Sequence, residues 1–209
     1  MLDLELYRKI SAARLKINAG VFGFLPTATL LRAGKLLGLI DKCEVLIYDQ
    51  DDDSSSLMYF AIREIRTDGK SAVDHAVEAD IGENEYEKEY LKGLGQSFSS
   101  FFEITGTNPE AGYFTCRDLF RKEEKILEIN DIGFSKRARV ANLLFLVVVP
   151  VYGGFVGNGI CFSFEAEHKD SILRECNSLE HREIYSHSTK RFRFFFKLDR
   201  KIDSPILYV

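Results

Sequence analysis

The longest apolar run of the chain is Leu143-Leu144-Phe145-Leu146-Val147-Val148-Val149, which Pro150 and Val151 follow. Both alternating faces of this run are apolar, and that pattern predicts a central strand buried on both sides. The run is less than half of the roughly 20 residues that a membrane-spanning helix needs. We therefore predict a strand inside a curled sheet or small barrel, and not a membrane protein.

Three further segments around this run have the composition of strands. Residues 113–119, 125–129 and 160–164 are rich in β-branched and aromatic residues, and each is bounded by Gly, Asn, Asp or charged residues. They predict a small antiparallel β unit over residues 106–166. The glycine-rich residues 153–159 lack the Gly-x-Gly-x-x-Gly order and precede a strand, so we interpret them as a hairpin loop rather than a phosphate-binding loop.

Helical spacing dominates residues 1–105. Apolar residues recur at steps of three and four over residues 2–17, and Asn18-Ala19-Gly20 predicts the end of that helix. Pro26 marks the start of a second helix, and Leu57 begins another periodic segment.

The same region contains two polar features. Residues 49–56 predict an exposed loop after a short strand-like stretch at 44–48. Ser71 is a candidate helix cap, and the acids of a helix over residues 83–94 predict a solvated face.

The last residues, 167–209, mix two patterns. Ile172, Leu173 and Cys176 favour a helix, whereas Arg191-Phe192-Arg193-Phe194 alternates like a strand, so the conformation of the second part stays open. Together the segments predict an α+β fold. It has a mainly helical N-terminal half (1–105), a small antiparallel β-sheet or barrel (106–166) and a C-terminal helix or tail (167–209) that packs on the rest.

Composition narrows the class of protein. The 209 residues are 45% hydrophobic and carry a net charge of −4. These values predict a globular protein without bulk attraction to nucleic acid or to an anionic membrane. The four cysteines are far apart, and acids occupy the N-terminus, where a signal peptide needs basic residues. We therefore expect a cytoplasmic protein.

No catalytic, cofactor or metal motif is predicted. Asp49, Asp51 and Asp53 imitate the first half of a calcium loop, but Ser54 stands where the turn needs Gly. Five potential zinc ligands near the C-terminus lack the usual close spacing, and they are Cys161, His168, Cys176, His181 and His187. We interpret the aspartates as a solvated linker and these ligand types as buried cysteines and surface histidines.

Several motifs resemble those of an uncharacterised bacterial protein family. They are the segments 57–65 and 98–104, Asp68-Gly69-Lys70-Ser71, Gly112-Tyr113-Phe114, Asp118-Leu119-Phe120, Asp131-Ile132-Gly133-Phe134-Ser135 and the apolar run from Leu143. The resemblance covers roughly residues 57–165. Some members carry a SEC-C zinc motif, whose Cys-x-Cys pair this sequence lacks. The family has no established activity, so the resemblance implies no functional residue.

Charge segregation is the feature that points most directly to a function. Basic residues enclose four phenylalanines near the C-terminus, and a second basic group follows Ser135. The candidate partner-binding residues are Lys136, Arg137, Arg139, Lys190, Arg191, Arg193 and Lys197. We predict a non-catalytic binding or adaptor protein with a protein partner. The alternatives are single-stranded nucleic-acid binding through the basic and aromatic tail, and a hydrolase whose site forms only in the fold. The oligomeric state stays open.

Overall fold

The computed structural model describes residues 2–43, 45–48, 50, 52–121, 125–178 and 182–202. Within these residues the α-helices are α1 (Leu4–Phe22), α2 (Thr27–Leu37), α3 (Asp53–Tyr59), α4 (Ala72–Glu78), α5 (Glu85–Gly95), α6 (Ile132–Ser135), α7 (Lys169–Cys176) and α8 (Ser188–Asp199). A short π-helix (Phe60–Glu64) follows α3, and two 3-10 turns cover Ala166–His168 and Arg182–Tyr185. The strands are β1 (Phe98–Asn108), β2 (Tyr113–Asp118), β3 (Ile126–Asn130), β4 (Leu143–Val151) and β5 (Gly154–Phe164). The predicted α+β class is confirmed.

Local signals in the sequence explain most helix ends. The Asp3 carboxylate accepts the Leu6 amide at 2.7 Å at the start of α1, and Gly38 ends α2 in the left-handed conformation with φ of 82°. Ser71 and Asp74 form the capping box of α4, which confirms Ser71 as a cap. The end predicted at Asn18-Ala19-Gly20 is wrong, because α1 continues to Phe22 and buries Val21.

The described helices include no segment with both the length and the apolar character needed to cross a bilayer.

The five strands form one closed sheet. Their order is β1-β2-β3-β5-β4, and β4 pairs back onto β1. The prediction of a purely antiparallel unit is wrong, because β3 and β5 run parallel, with Ile129 opposite Phe155 and Asn130 opposite Val156. The mixed arrangement arises because α6 and β4 separate β3 from β5 in the chain, so the chain returns alongside β3 in the same direction.

β4 has the position that its apolar pattern predicts. Leu144, Leu146 and Val148 point into the closed sheet, whereas Phe145 and Val147 point outward beneath the helices. All of these side chains are at most 5% exposed. Burying such a side chain stabilises the fold by about 1.5–3 kcal/mol, so β4 makes a large contribution to the core.

β1 was not predicted, and the boundary drawn between residues 105 and 106 falls inside it. Both of its faces are covered, since Phe101 packs against the outer helices while Phe102 points inward. Ser99 and Ser100 are buried as well. Burial on both sides removes the polar and apolar alternation by which a half-exposed strand is recognised.

Two groups of helices cover the sheet from outside. The helices α1, α4 and α5 pack over Val149, Val151 and Val156, and α2, α3 and α8 pack over Phe145 and Phe162. The approach of α5 to β4 is close enough that a Cβ atom at Gly93 would lie 2.1 Å from the Pro150 carbonyl oxygen.

The prediction of an exposed polar loop over residues 49–56 is wrong from residue 53 onward. α3 begins at Asp53, and both Asp53 and Ser56 are buried. The burial is possible because Arg200 pairs with the Asp53 carboxylate. Asp49 and Asp51, the other members of the calcium-like pattern, lie outside the described residues.

Candidate binding groove

α8 positions the predicted basic residues. Its phenylalanines at 192, 195 and 196 recur at steps of three and one, as one face of a helix requires, and all three are at most 2% exposed. The Phe195 ring lies 4.8 Å from the rings of both Phe101 and Phe145. These contacts explain why residues 188–199 form a helix in spite of the alternating Arg and Phe residues at 191–194.

The buried rings correct one part of the sequence interpretation. Phe192, Phe195 and Phe196 belong to the core over the sheet, and Phe194 is only 8% exposed. Stacking on nucleic-acid bases needs an exposed ring face. The four phenylalanines of α8 therefore do not provide a stacking surface for bases.

A groove of about 310 Å³ runs along the opposite side of α8. It is lined by Glu175, Glu183, Ile184, Lys190, Arg193, Phe194, Lys197, Leu198 and Lys201. Lys190, Arg193 and Lys197 follow one another at steps of three and four residues on α8, and Lys201 follows in the turn after the helix, so the cations form one stripe. The floor is apolar, because Ile184, Phe194 and Leu198 are 2%, 8% and 6% exposed.

The cations of the groove are engaged to different degrees. Lys190 forms an ion pair with Glu183, and the Arg193 Nε atom donates to the Leu36 carbonyl oxygen at 3.0 Å. Lys197 and Lys201 are exposed, and within the described part of the chain their ammonium groups have no ion pair or hydrogen bond. With four cations and two carboxylates, the lining has a formal charge of +2.

The acidic residues before and within α5 do not neutralise this groove. Lys16 of α1 contacts Glu83 at 2.6 Å and Glu87 at 3.1 Å. Glu87 is only 4% exposed, so the prediction of a fully solvated acidic face is wrong at that position. Its carboxylate also accepts the Glu83 amide at 2.8 Å, and these local partners explain its burial.

Arg191, a predicted site residue, lies outside the groove. Its guanidinium donates to the carbonyl oxygens of Ile184 at 2.7 Å and Tyr185 at 2.9 Å, and also to that of Ser99. Burial lowers the pKa of Arg191 from its ordinary value, and the nearby Asp118 carboxylate opposes that shift. Arg191 therefore joins α8 to β1 and to residues 182–185.

The second predicted basic group is also separate. It follows α6 and consists of Lys136, Arg137 and Arg139, of which Lys136 and Arg139 are exposed. None of the three residues lines the groove. Of the seven predicted residues, the groove therefore brings together Lys190, Arg193 and Lys197.

Lys201 belongs to the basic cluster of the sequence and continues the stripe at a step of four residues from Lys197, although it was not among the seven candidate residues. Glu175, Glu183 and Ile184 come from segments before α8 and meet it only in the fold, so no local pattern marks them.

The potential zinc ligands do not form a site in the described residues. No group of three or more Cys, His, Asp or Glu side chains suited to a metal occurs there, and His181 lies outside that part of the chain. Burial raises the pKa of the Cys176 thiol to about 12, so this thiol stays protonated at neutral pH.

The fold and the groove define a class of protein, namely a helix-covered five-stranded barrel with a cationic groove along its last described helix. The chain belongs to a family of unknown function (DUF7986), whose sequence profile matches residues 1–209. The match extends well beyond the resemblance over residues 57–165. No curated protein and no solved structure matches the chain.

Proposed function

We propose that the protein is a non-catalytic binding protein that captures an acidic segment of a partner protein in the groove along α8. The observation that carries this proposal is the open cationic stripe, in which Lys197 and Lys201 have no partner within the described residues. Charged residues without internal partners that converge on a concave surface suit an oppositely charged ligand.

The charge of the whole chain makes this stripe selective. The protein has a net charge of −4, so long-range electrostatics repel an acidic partner except where the groove reverses the sign. Screening limits such interactions to about 8–10 Å at moderate salt. An acidic segment therefore gains its attraction only when it lies in the groove, which favours a defined docking position.

The size and floor of the groove support a peptide rather than a large cofactor. Its volume of about 310 Å³ is at the lower end of the roughly 300–1,000 Å³ of small-molecule sites. Ile184, Phe194 and Leu198 provide an apolar floor for one or two side chains. A segment that combines carboxylates with an apolar anchor matches both properties.

The test is fluorescence anisotropy with a labelled peptide of Glu and Leu residues. We expect binding that weakens at least about tenfold between about 50 mM and about 300 mM NaCl, because the contacts are exposed ion pairs. The double substitution Lys197→Glu and Lys201→Glu should abolish binding. The matched control, Arg8→Glu with Lys92→Glu, changes the net charge equally at two exposed positions of α1 and α5. Equal loss in both variants would contradict the groove as the binding site.

A second candidate function, single-stranded nucleic-acid binding, is favoured by the strand order of the barrel. A closed five-stranded sheet in the order β1-β2-β3-β5-β4 corresponds to the OB-fold, whose β2 and β3 face binds oligonucleotides in many proteins. Here the outer face of these strands includes exposed Arg117 and Ile126. Because nucleic-acid binding rests here on an analogy of fold, it is the second candidate.

Arg117→Glu separates the two candidates. If the β2 and β3 face binds nucleic acid, this substitution should weaken binding of a short oligothymidine at low salt, and Lys197→Glu with Lys201→Glu should not. The reverse result would assign oligonucleotide binding to the groove.

The cellular location, the relation to SEC-C proteins and the hydrolase hypothesis are also proposals. A cytoplasmic location agrees with the free thiols of Cys43, Cys116, Cys161 and Cys176, because such cysteine usage suits a reducing compartment. A relation to SEC-C proteins rests on the resemblance over residues 57–165. The hydrolase hypothesis stays a prediction without an assigned residue.

A further inference from the structure

We infer that the acidic segment that docks in the groove is an α-helix, with carboxylates at steps of three and four residues; this inference rests on the proposed function. Its basis is the shape of the cationic stripe and, in the part of the chain that the structure describes, the lack of a strand edge along it.

The part of the stripe that lies on α8 has helical periodicity over two turns. Lys190, Arg193 and Lys197 lie on one side of α8 and span about 10 Å at the 1.5 Å rise of a helix residue, and Lys201 follows in the turn after the helix. A partner helix repeats its carboxylates at the same pitch of about 5.4 Å. Each turn of the partner can therefore meet one cation of the stripe without loss of register.

The walls of the groove disfavour an extended partner. The Arg191 amide donates to the His187 carbonyl oxygen at 2.9 Å at the start of α8, and in the helical turn Arg182–Tyr185 the Glu183 carbonyl oxygen accepts the His187 amide at 2.9 Å. The sheet is closed, and its strands already pair on both sides. Among the described residues an extended peptide would find no strand edge to complete, whereas a helix satisfies its own backbone hydrogen bonds.

The two ends of the groove differ in charge. Glu183 already pairs with Lys190, while Lys197 and Lys201 have no ion pair within the described residues. The carboxylates of the partner helix therefore concentrate over the Lys197 and Lys201 end. An apolar residue of the helix lies over the floor that Phe194 and Leu198 form between the cations.

The experiment compares two peptides of identical composition, and binding is followed by anisotropy and far-UV circular dichroism. In the first peptide, Glu residues recur at steps of three and four; in the second, they recur at every second position. We expect the first peptide to bind at least about tenfold tighter, which corresponds to about 1.4 kcal/mol, and to gain helicity on binding. Lys197→Glu with Lys201→Glu should remove this difference, and Arg8→Glu with Lys92→Glu should preserve it.

The other outcomes separate the two proposals. Equal affinity for both peptides, tighter binding of the second, or binding without a gain of helicity would overturn the helical partner and leave the acidic groove intact. If neither peptide binds at low salt, the proposed function fails, and the helical partner fails with it.

Discussion

The guanidinium of Arg200 forms an ion pair with the carboxylate of Asp53, and this pair joins the end of α8 to the start of α3. Asp53 is completely buried, whereas the Arg200 side chain is 22% exposed. The Arg200 guanidinium also lies 5.2 Å from the centroid of the Phe196 ring. The pair therefore fixes α8 on the helical side of the protein.

Arg200→Met should destabilise the protein by about 3 kcal/mol, because it removes a cation from a buried carboxylate. The measurement is the free energy of unfolding in urea. Arg66→Met is the matched control, since the pair of Arg66 with Asp74 is half exposed on the arginine side and should cost less than about 1 kcal/mol. Equal losses of stability in the two variants would show that burial of Asp53 does not increase the contribution of its ion pair with Arg200.

Gly93→Ala should also destabilise the fold strongly. The added Cβ atom would lie 2.1 Å from the Pro150 carbonyl oxygen, which belongs to the β4 backbone and cannot move easily. We expect a loss of at least about 2 kcal/mol, measured by thermal and urea denaturation. Gly95→Ala on the same helix meets only the Val77 side chain at 3.2 Å, and it should be close to neutral. A neutral Gly93→Ala would refute the close contact of α5 with β4.

Asp199 makes stability depend on pH. Burial raises the pKa of this carboxyl from 3.8 to about 7, the Asp52 and Asp53 carboxylates add to the shift, and Arg200 opposes it. The unfolded chain loses this proton near pH 4, whereas the folded protein holds it to about pH 7. The contribution of Asp199 to stability is therefore complete below pH 4 and is lost as pH rises to 7.

Asp199→Asn should remove this loss. The unfolding free energy of the variant minus that of the wild type should rise by about 2 kcal/mol from pH 4 to pH 8. This value is reduced to allow for the partial exposure of the Asp199 carboxyl. The measurement is the difference in unfolding free energy between the two proteins at several pH values. A constant difference across this range would contradict the raised pKa of Asp199.

The basic residues of α8 should separate into structural and binding residues. Arg191→Met removes three hydrogen bonds to backbone carbonyl oxygens, and it should cost about 3 kcal/mol of stability. Lys197→Met should change stability by less than about 0.5 kcal/mol, because its exposed ammonium group has no partner in the described residues. The same substitution should weaken peptide binding. A stable Arg191→Met variant would contradict the structural role of Arg191.

The sequence predicted the elements whose pattern is local. β4 was identified because both of its faces are apolar, and α4 because Ser71 is a typical helix-capping residue. β5 was recognised only from Ile160, since Gly154 and Gly157 carry little strand propensity. Their position in the strand depends on pairing with Val151 and Val148, which is information from elsewhere in the chain.

The groove was predictable only in part. Lys190, Arg193 and Lys197 were named because basic residues cluster in the sequence, but the same cluster contains Arg191, which serves the fold. The distinction depends on angular position around α8. Because the alternation at residues 191–194 also suggested a strand, the angular positions of these residues around a helix could not be read from the sequence. Glu175 and Glu183 join the groove only through tertiary packing.

β4 supplies side chains to all three hydrophobic clusters of the protein's described part: Phe145 to one, Val149 to another and Leu146 to the third. Opening any one cluster thus disturbs the strand that supports the other two. We expect a single cooperative unfolding transition, with the amides of β4 among the slowest to exchange with solvent. A fragment that begins after residue 105 would lack most of β1, the neighbour of β4 in the barrel, so the β unit should not fold independently of the helices.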